Sequence, residues 1–243
     1  MITMKKLYTL ALLMLSGLAV NAQNIQLHYD FGRNVYSGEE DSRDPITLTF
    51  ENFAIDSRGS WFYFIDLDLN KELFKGVYTE ISREYFIGKT PFAAHVEYNG
   101  GMNRNTSFQH AALVGPAWNG HSADYSKTYS VQLLYKHFFV GETGTHSYSS
   151  AQLTGVWNLN FFNKALTFSG YIDFWRGEDA DRKGKLVILA EPQLWWNLAS
   201  FIDGEKISVG TELEFSNNFI YNEDPTSSKT FFVNPTLALK WTF

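Results

Sequence analysis

The 243-residue chain contains no cysteine. That excludes a disulfide framework, a thiol nucleophile and a thiolate metal site, and it leaves no cysteine to carry a lipid at a processed N-terminus. Beyond residue 22 the chain also lacks any apolar run near the roughly 20 residues that a membrane-spanning helix needs, so residence in an inner membrane as a helical bundle is excluded. A basic excess is missing as well. Twenty Lys and Arg stand against 26 Asp and Glu, and removal of residues 1–22 takes away Lys5 and Lys6, leaving 18 basic against 26 acidic residues, a formal net charge of −8. Such a chain is a poor partner for nucleic acid. No HExxH, His-rich cluster or calcium-loop pattern occurs, nor an internal repeat or low-complexity tract.

What is present begins with an export signal. Lys5 and Lys6 precede an apolar run from Leu7 to Val20, and small residues close it at Ala22. This predicts a cleaved signal peptide over 1–22 and a single domain over 23–243. The domain is rich in aromatics, 17% of the chain being Phe, Trp or Tyr, and these fall in alternating segments. In WFYFIDLDL, residues 61–69, a strand places Trp61, Tyr63, Ile65, Leu67 and Leu69 on one face and Phe62, Phe64, Asp66 and Asp68 on the other. One face is wholly apolar, while the other begins aromatic and ends acidic.

Twelve such segments follow one another: 25–33, 46–55, 61–69, 77–86, 92–102, 108–118, 128–139, 147–161, 165–176, 185–199, 206–220 and 230–243. Turn formers separate them in DSRGS, FNKA, DGEK and NEDPTSSK. An exported chain without spanning helices can cross a bilayer only as a closed barrel, because an open sheet edge leaves backbone groups unpaired in hydrocarbon. The predicted fold is therefore all-β: a transmembrane antiparallel up-and-down β-barrel of about 12 strands, integral to the outer membrane of a Gram-negative cell. An even strand count puts both termini on the periplasmic side, with 34–45, 70–76, 103–107, 140–146, 177–184 and 221–229 facing outward. Residues 119–127 are long for a periplasmic turn. The last strand, TLALKWTF, alternates Leu237, Leu239, Trp241 and Phe243, and an aromatic final residue on such a strand is similar to the assembly signal of outer-membrane barrels, which predicts the barrel assembly machinery as a partner.

Taken at period two, the face opposite the apolar one carries His28, Asp30, Thr49, Glu51, Phe62, Phe64, Asp66, Asp68 and Glu80. Later strands add His95, Glu97, Asn99, Gln132, Lys136, Asn158, Asn160, Tyr171, Asp173, Glu191, Gln193, Glu212, Glu214 and Lys240. Burying so many polar groups dry would cost several kcal/mol for each unpaired one. A hydrated lumen removes that cost.

The stretch LTFENFAIDSRGSWFYFIDLDL, residues 48–69, with GVYTEIS at 76–82, resembles the Tsx-like family, the nucleoside-specific channel-forming barrels of the outer membrane. The resemblance covers the first third of the chain; beyond it only length, strand spacing and ending are shared. It implies a monomeric diffusion channel for nucleosides or similar small neutral solutes, with no cofactor, no metal and no catalytic residue. It further implies that Glu51, Phe53, Phe62, Phe64, Asp66, Asp68 and Glu80 line the pore, beside Asp173 and Glu212 from the alternation. The chain departs from the family in LNKELFKG, residues 69–76, a short connection that puts the outer vestibule and nucleoside selectivity in doubt. Physically, aromatic faces stack on a base and carboxylates accept ribose hydroxyls, while the acidic excess disfavours anions such as nucleotides.

Three other readings compete. The acids could pair with Lys136, Lys240 and His28 and plug a small barrel. An enzymatic barrel would need a serine, a histidine and an orienting group converging in space, and none of His28, His95, His110, His121, His137 and His146 sits in a recognisable local motif of that kind. A soluble β-sandwich would invert the two faces. Against the last stand the aromatics expected in membrane-interface girdles: Trp61, Tyr85, Trp118, Trp157, Trp175, Trp195, Trp196 and Trp241.

Overall fold

The computed structural model describes residues 23–36, 44–70, 75–103, 106–141, 146–178, 183–198, 206–219 and 229–243. The expected signal peptide, residues 1–22, and much of the 69–76 connection lie outside the described residues. The strands are β1 (Gln23–Asp30), β2 (Ile46–Asp56), β3 (Gly59–Leu69), β4 (Gly76–Phe86), β5 (Phe92–Asn103), β6 (Ala111–His121) and β7 (Lys127–Phe138). They continue with β8 (Tyr148–Phe161), β9 (Leu166–Glu178), β10 (Gly184–Ala190), β11 (Gln193–Asn197), β12 (Ile207–Asn217) and β13 (Phe231–Thr242). One helical turn, α1 (Gly32–Val35), follows β1.

Apart from β10 and β11, each strand pairs antiparallel with its neighbours in sequence, and β1 pairs with both β2 and β13, so the sheet closes on itself. β10 and β11 occupy a single position between β9 and β12. Twelve staves thus form a closed up-and-down barrel.

The expected segment 185–199 is broken between β10 and β11 because Pro192 has no N–H for the ladder. Register survives the break. Ala190 lies opposite Ile172 and Gln193 opposite Ser169, so Glu191 keeps its inward position. Gly170 sits across from the proline with φ of +145°, where a Cβ would stand 2.4 Å from the carbonyl oxygen of Glu191. Only glycine fits that conformation and that distance.

The middle of the expected strand map shifts. β6 spans Ala111–His121 instead of 108–118, and the connection expected at 119–127 shrinks to the turn 122–126. Both parities of FQHAALVGPAW are apolar, so alternation alone could not place that strand. Asp124 organises the turn, accepting from the hydroxyls of Ser122 (2.6 Å) and Ser126 (2.8 Å) and from the Ser126 N–H (3.1 Å). In the 57–58 turn, Asp56 Oδ1 accepts from the N–H groups of Arg58 (2.7 Å) and Gly59 (3.0 Å).

The outer face is apolar, with Leu27, Val96, Val114, Leu133, Leu153, Leu237 and Leu239 exposed. Trp61, Tyr85, Trp118, Trp196 and Trp241 project from the same face near strand ends. At the end carrying the chain termini, Arg83 is sandwiched between Trp61 (4.9 Å) and Tyr85 (5.0 Å) and bonds Asp56 at 2.9 Å. Two of the expected girdle residues do not belong there. Trp175 and Trp195 point inward and are buried, because they share parity with Asp173 and Gln193 on their own strands.

Inside the barrel, towards the loop end, Ala111, Leu113, Leu134, Phe138, Trp175 and Val187 form an apolar cluster, with Tyr148 and Leu189 packed against it. Burying each large side chain there contributes about 1.5–3 kcal/mol. That side of the lumen is therefore a packed core.

Candidate functional site

Residues opposite one another in an antiparallel ladder share a face. From the register, Thr47 faces Asp68, Thr49 faces Asp66, Glu51 faces Phe64 and Phe53 faces Phe62 across β2 and β3. On the next seam Phe64 meets Glu80 and Asp66 meets Tyr78. All of these point inward. Asp173 lies opposite Thr154, and Glu212 opposite Gln193, on inward positions of the far wall. By ladder parity the nine expected residues fall on the inner face, seven of them on β2, β3 and β4, with Phe53 41% exposed.

The acids of this arc and of the far wall accept hydrogen bonds from neutral donors. The Thr49 hydroxyl donates to Asp66 Oδ1 at 2.5 Å and that of Thr47 to Asp68 Oδ1 at 3.2 Å. Tyr78 donates to Glu80 Oε1 at 2.8 Å, and Asn24 Nδ2 to Glu51 Oε1 at 2.8 Å. On the far wall Thr154 donates to Asp173 at 2.5 Å and Gln193 to Glu212 at 2.6 Å. A neutral donor orients a carboxylate without cancelling its charge. The acids also face one another across the lumen: Glu80 interacts electrostatically with Glu97 and Asp173, and Glu191 with Asp66.

The aromatics form a line. Ring centroids of Phe62 and Phe64 are 6.1 Å apart, those of Phe64 and Tyr78 6.0 Å, and those of Tyr78 and Phe108 6.4 Å. This ladder climbs from mid-strand β3 to the connection after β5. Sequence reasoning missed its upper rungs. Tyr78 was legible, being two residues from Glu80 on one strand, whereas Phe108 was assigned to a strand it does not belong to.

Both inward lysines expected from alternation are held by tryptophan. Lys136 Nζ lies 4.3 Å from the Trp175 ring and 5.0 Å from Phe138, and donates to Gln152 Oε1 at 2.7 Å. Lys240 Nζ lies 4.0 Å from the Trp195 ring, whose Nε1 donates to Gln193 Oε1 at 2.9 Å. His28 bonds Gln26 at 2.9 Å and Thr236 at 3.2 Å, and stands 4.0 Å from Glu212. Among the described residues no group of three or more metal-ligating side chains converges.

A family model described as "Domain of unknown function (DUF5020)" matches residues 22–243. Among solved structures the chain is similar to a NanC porin, with a TM-score of 0.58 at 10% identity, covering 91% of this chain and 100% of that one. It is also similar to a KdgM porin (TM-score 0.49, 9% identity, 92% of this chain and 99% of that one). A third structure is LpxR from Salmonella typhimurium (TM-score 0.46, 8% identity, 92% and 100%). No curated protein matches the sequence. At such identity the NanC likeness is one of fold: an outer-membrane porin barrel.

Proposed function

The chain belongs to the DUF5020 family, and from that premise and its porin-like barrel we propose that it is an outer-membrane diffusion channel for nucleosides or similar small neutral solutes. The observation that carries the proposal is the ladder Phe62, Phe64, Tyr78, Phe108 running beside Asp66, Asp68 and Glu80. A base stacks on one rung and passes to the next, each contact being worth about 1–3 kcal/mol. The ribose hydroxyls donate to the carboxylates alongside. Successive weak contacts suit permeation, because a single tight site would retain the solute. The acidic lumen repels phosphate, so nucleotides are excluded by charge before they are excluded by size.

The resemblance of residues 48–69 and 76–82 to Tsx-like channels supports the nucleoside as solute. Phe243 closes the last strand in the manner of substrates of the barrel assembly machinery, and the chain acts as a monomer in outer-membrane lipid. A second reading, a plugged barrel, is favoured by the apolar cluster around Leu134 and Trp175. Liposome swelling separates the two. Proteoliposomes that swell in adenosine faster than in adenosine monophosphate support the channel, and proteoliposomes that swell in neither support the plug.

A further inference from the structure

On the opposite face of the barrel wall, at the loop end of β5, three polar side chains meet. Tyr98 belongs to the outward set of β5, and Ser107 is bridged to Met102 of the same set. His110 stands between them, its Nε2 2.7 Å from Ser107 Oγ and its Nδ1 hydrogen-bonded to the Tyr98 hydroxyl. Gly100 makes the meeting possible. A Cβ there would lie 2.8 Å from the Tyr98 oxygen and 3.1 Å from His110 Nδ1.

A hydroxyl, an imidazole and a third group bonded to the far ring nitrogen constitute the arrangement that activates a serine nucleophile. Ser107 Oγ also lies 3.2 Å from the carbonyl oxygens of Gly101 and Phe108. Of its three acceptors the imidazole is the nearest, and it alone can carry the proton away. The three residues open into a cavity of about 330 Å³ whose other walls include Phe139, Val140 and Phe108, the top rung of the ladder, which borders both sides of the wall here. Val140 is 70% exposed and Phe139 42%, so the cavity opens beside an apolar surface at the loop end of the wall.

We propose that Ser107 is a nucleophile that cleaves carboxylic esters presented from the bilayer, with His110 as base and Tyr98 as the positioning residue. The class of substrate follows from place: the exposed Phe139 and Val140 beside the nucleophile offer an apolar seat to an acyl chain at the rim of the barrel wall, and an ester carrying such a chain belongs to an acyl lipid. Ser107 Oγ bonds to the carbonyl carbon as its proton passes to His110 Nε2. The bond to the alcohol then breaks, and the departing oxygen takes that proton. Water repeats the sequence on the acyl-serine, releasing the carboxylic acid and restoring Ser107. Tyr98 fixes the ring by accepting from Nδ1–H, the tautomer that leaves Nε2 free to accept.

The test is covalent labelling of the full chain in detergent with ethyl and hexadecyl fluorophosphonate, folding being confirmed by heat-modifiable gel mobility. The expected result is phosphonylation of Ser107, faster with the hexadecyl probe. It is abolished in Ser107→Ala and slowed about 100-fold or more in His110→Gln, as loss of a general base requires. Tyr98→Phe and Gly100→Ala should lower the maximal rate without moving the half-saturation concentration, a split that a merely structural role would not produce. Folded wild-type protein that takes no label, or label that persists in Ser107→Ala, overturns the nucleophile. Equal rates for the two probes overturn the lipid substrate.

Discussion

The β2–β4 arc and the β6–β10 arc look into the same lumen and are built on opposite principles. The first presents half-buried rings and carboxylates held by neutral donors, with Phe64, Asp66, Tyr78 and Glu80 all partly accessible. The second is closed: Leu113, Leu134, Phe138, Trp175 and Val187 pack together, and the buried ammonium of Lys136 is lodged against Trp175 and Phe138. A barrel of this size divides its interior, filling one side to gain stability and leaving the other to meet a solute. Acids on the first wall are oriented by threonine and tyrosine hydroxyls, and the cation on the second lies against aromatic faces. The difference assigns stability to one wall and, on the proposed function, solute contact to the other.

The largest effect should come from breaking the closed wall. Leu134→Ala is expected to cost about 2–5 kcal/mol, the usual range for a fully buried leucine, read as a lower urea midpoint for the loss of heat-modifiable mobility. Phe64→Ala, on the accessible wall, should leave that midpoint nearly unchanged. Instead it should weaken nucleoside affinity by about 1–3 kcal/mol, the value of one stacked base, read from the concentration that half-blocks conductance. Between the arcs, Gly170→Ala places a side chain at a backbone conformation it rarely adopts, against the Glu191 carbonyl. A cost of about 1–3 kcal/mol is expected, measured as reduced refolding yield.

Lys136→Met keeps the packing against Trp175 while removing an ammonium that interacts with Glu80, Glu97 and Asp173. The reversal potential in a salt gradient should shift towards stronger cation selectivity. The smallest effect lies outside the membrane. The hydroxyls of Ser122 and Ser126 hold the Asp124 carboxyl at about 2, below its ordinary 3.8. A depressed value stabilises the turn above the ordinary range, and that contribution is lost as pH falls through about 2. Protease nicking at 122–126 should rise as pH falls from about 4 through about 2, and Asp124→Asn should abolish the dependence.

Much of this architecture was legible in the sequence. WFYFIDLDL separates by parity into the two faces that the register reproduces, and the twelve expected segments correspond to twelve staves. What was not legible was the closed wall. A rule that sends apolar residues outward fails at Leu133 and Leu134, adjacent and equally apolar, of which the first is 58% exposed and the second 1%. The same habit placed Trp175 and Trp195 in an interfacial girdle although Asp173 and Gln193, two residues before them, marked their parity as inward. The Ser107–His110–Tyr98 meeting was illegible for another reason: it depends on register between β5 and the connection after it, and no local motif announces it.

The measurement that tests the division of the lumen most directly is single-channel conductance in planar bilayers, with adenosine titrated into wild type, Phe64→Ala and Leu134→Ala. The account predicts a conductance that falls saturably in wild type, a half-blocking concentration raised in Phe64→Ala, and one unchanged in Leu134→Ala channels that insert. Conductance indifferent to adenosine in wild type, or a shift in Leu134→Ala equal to that in Phe64→Ala, would contradict it.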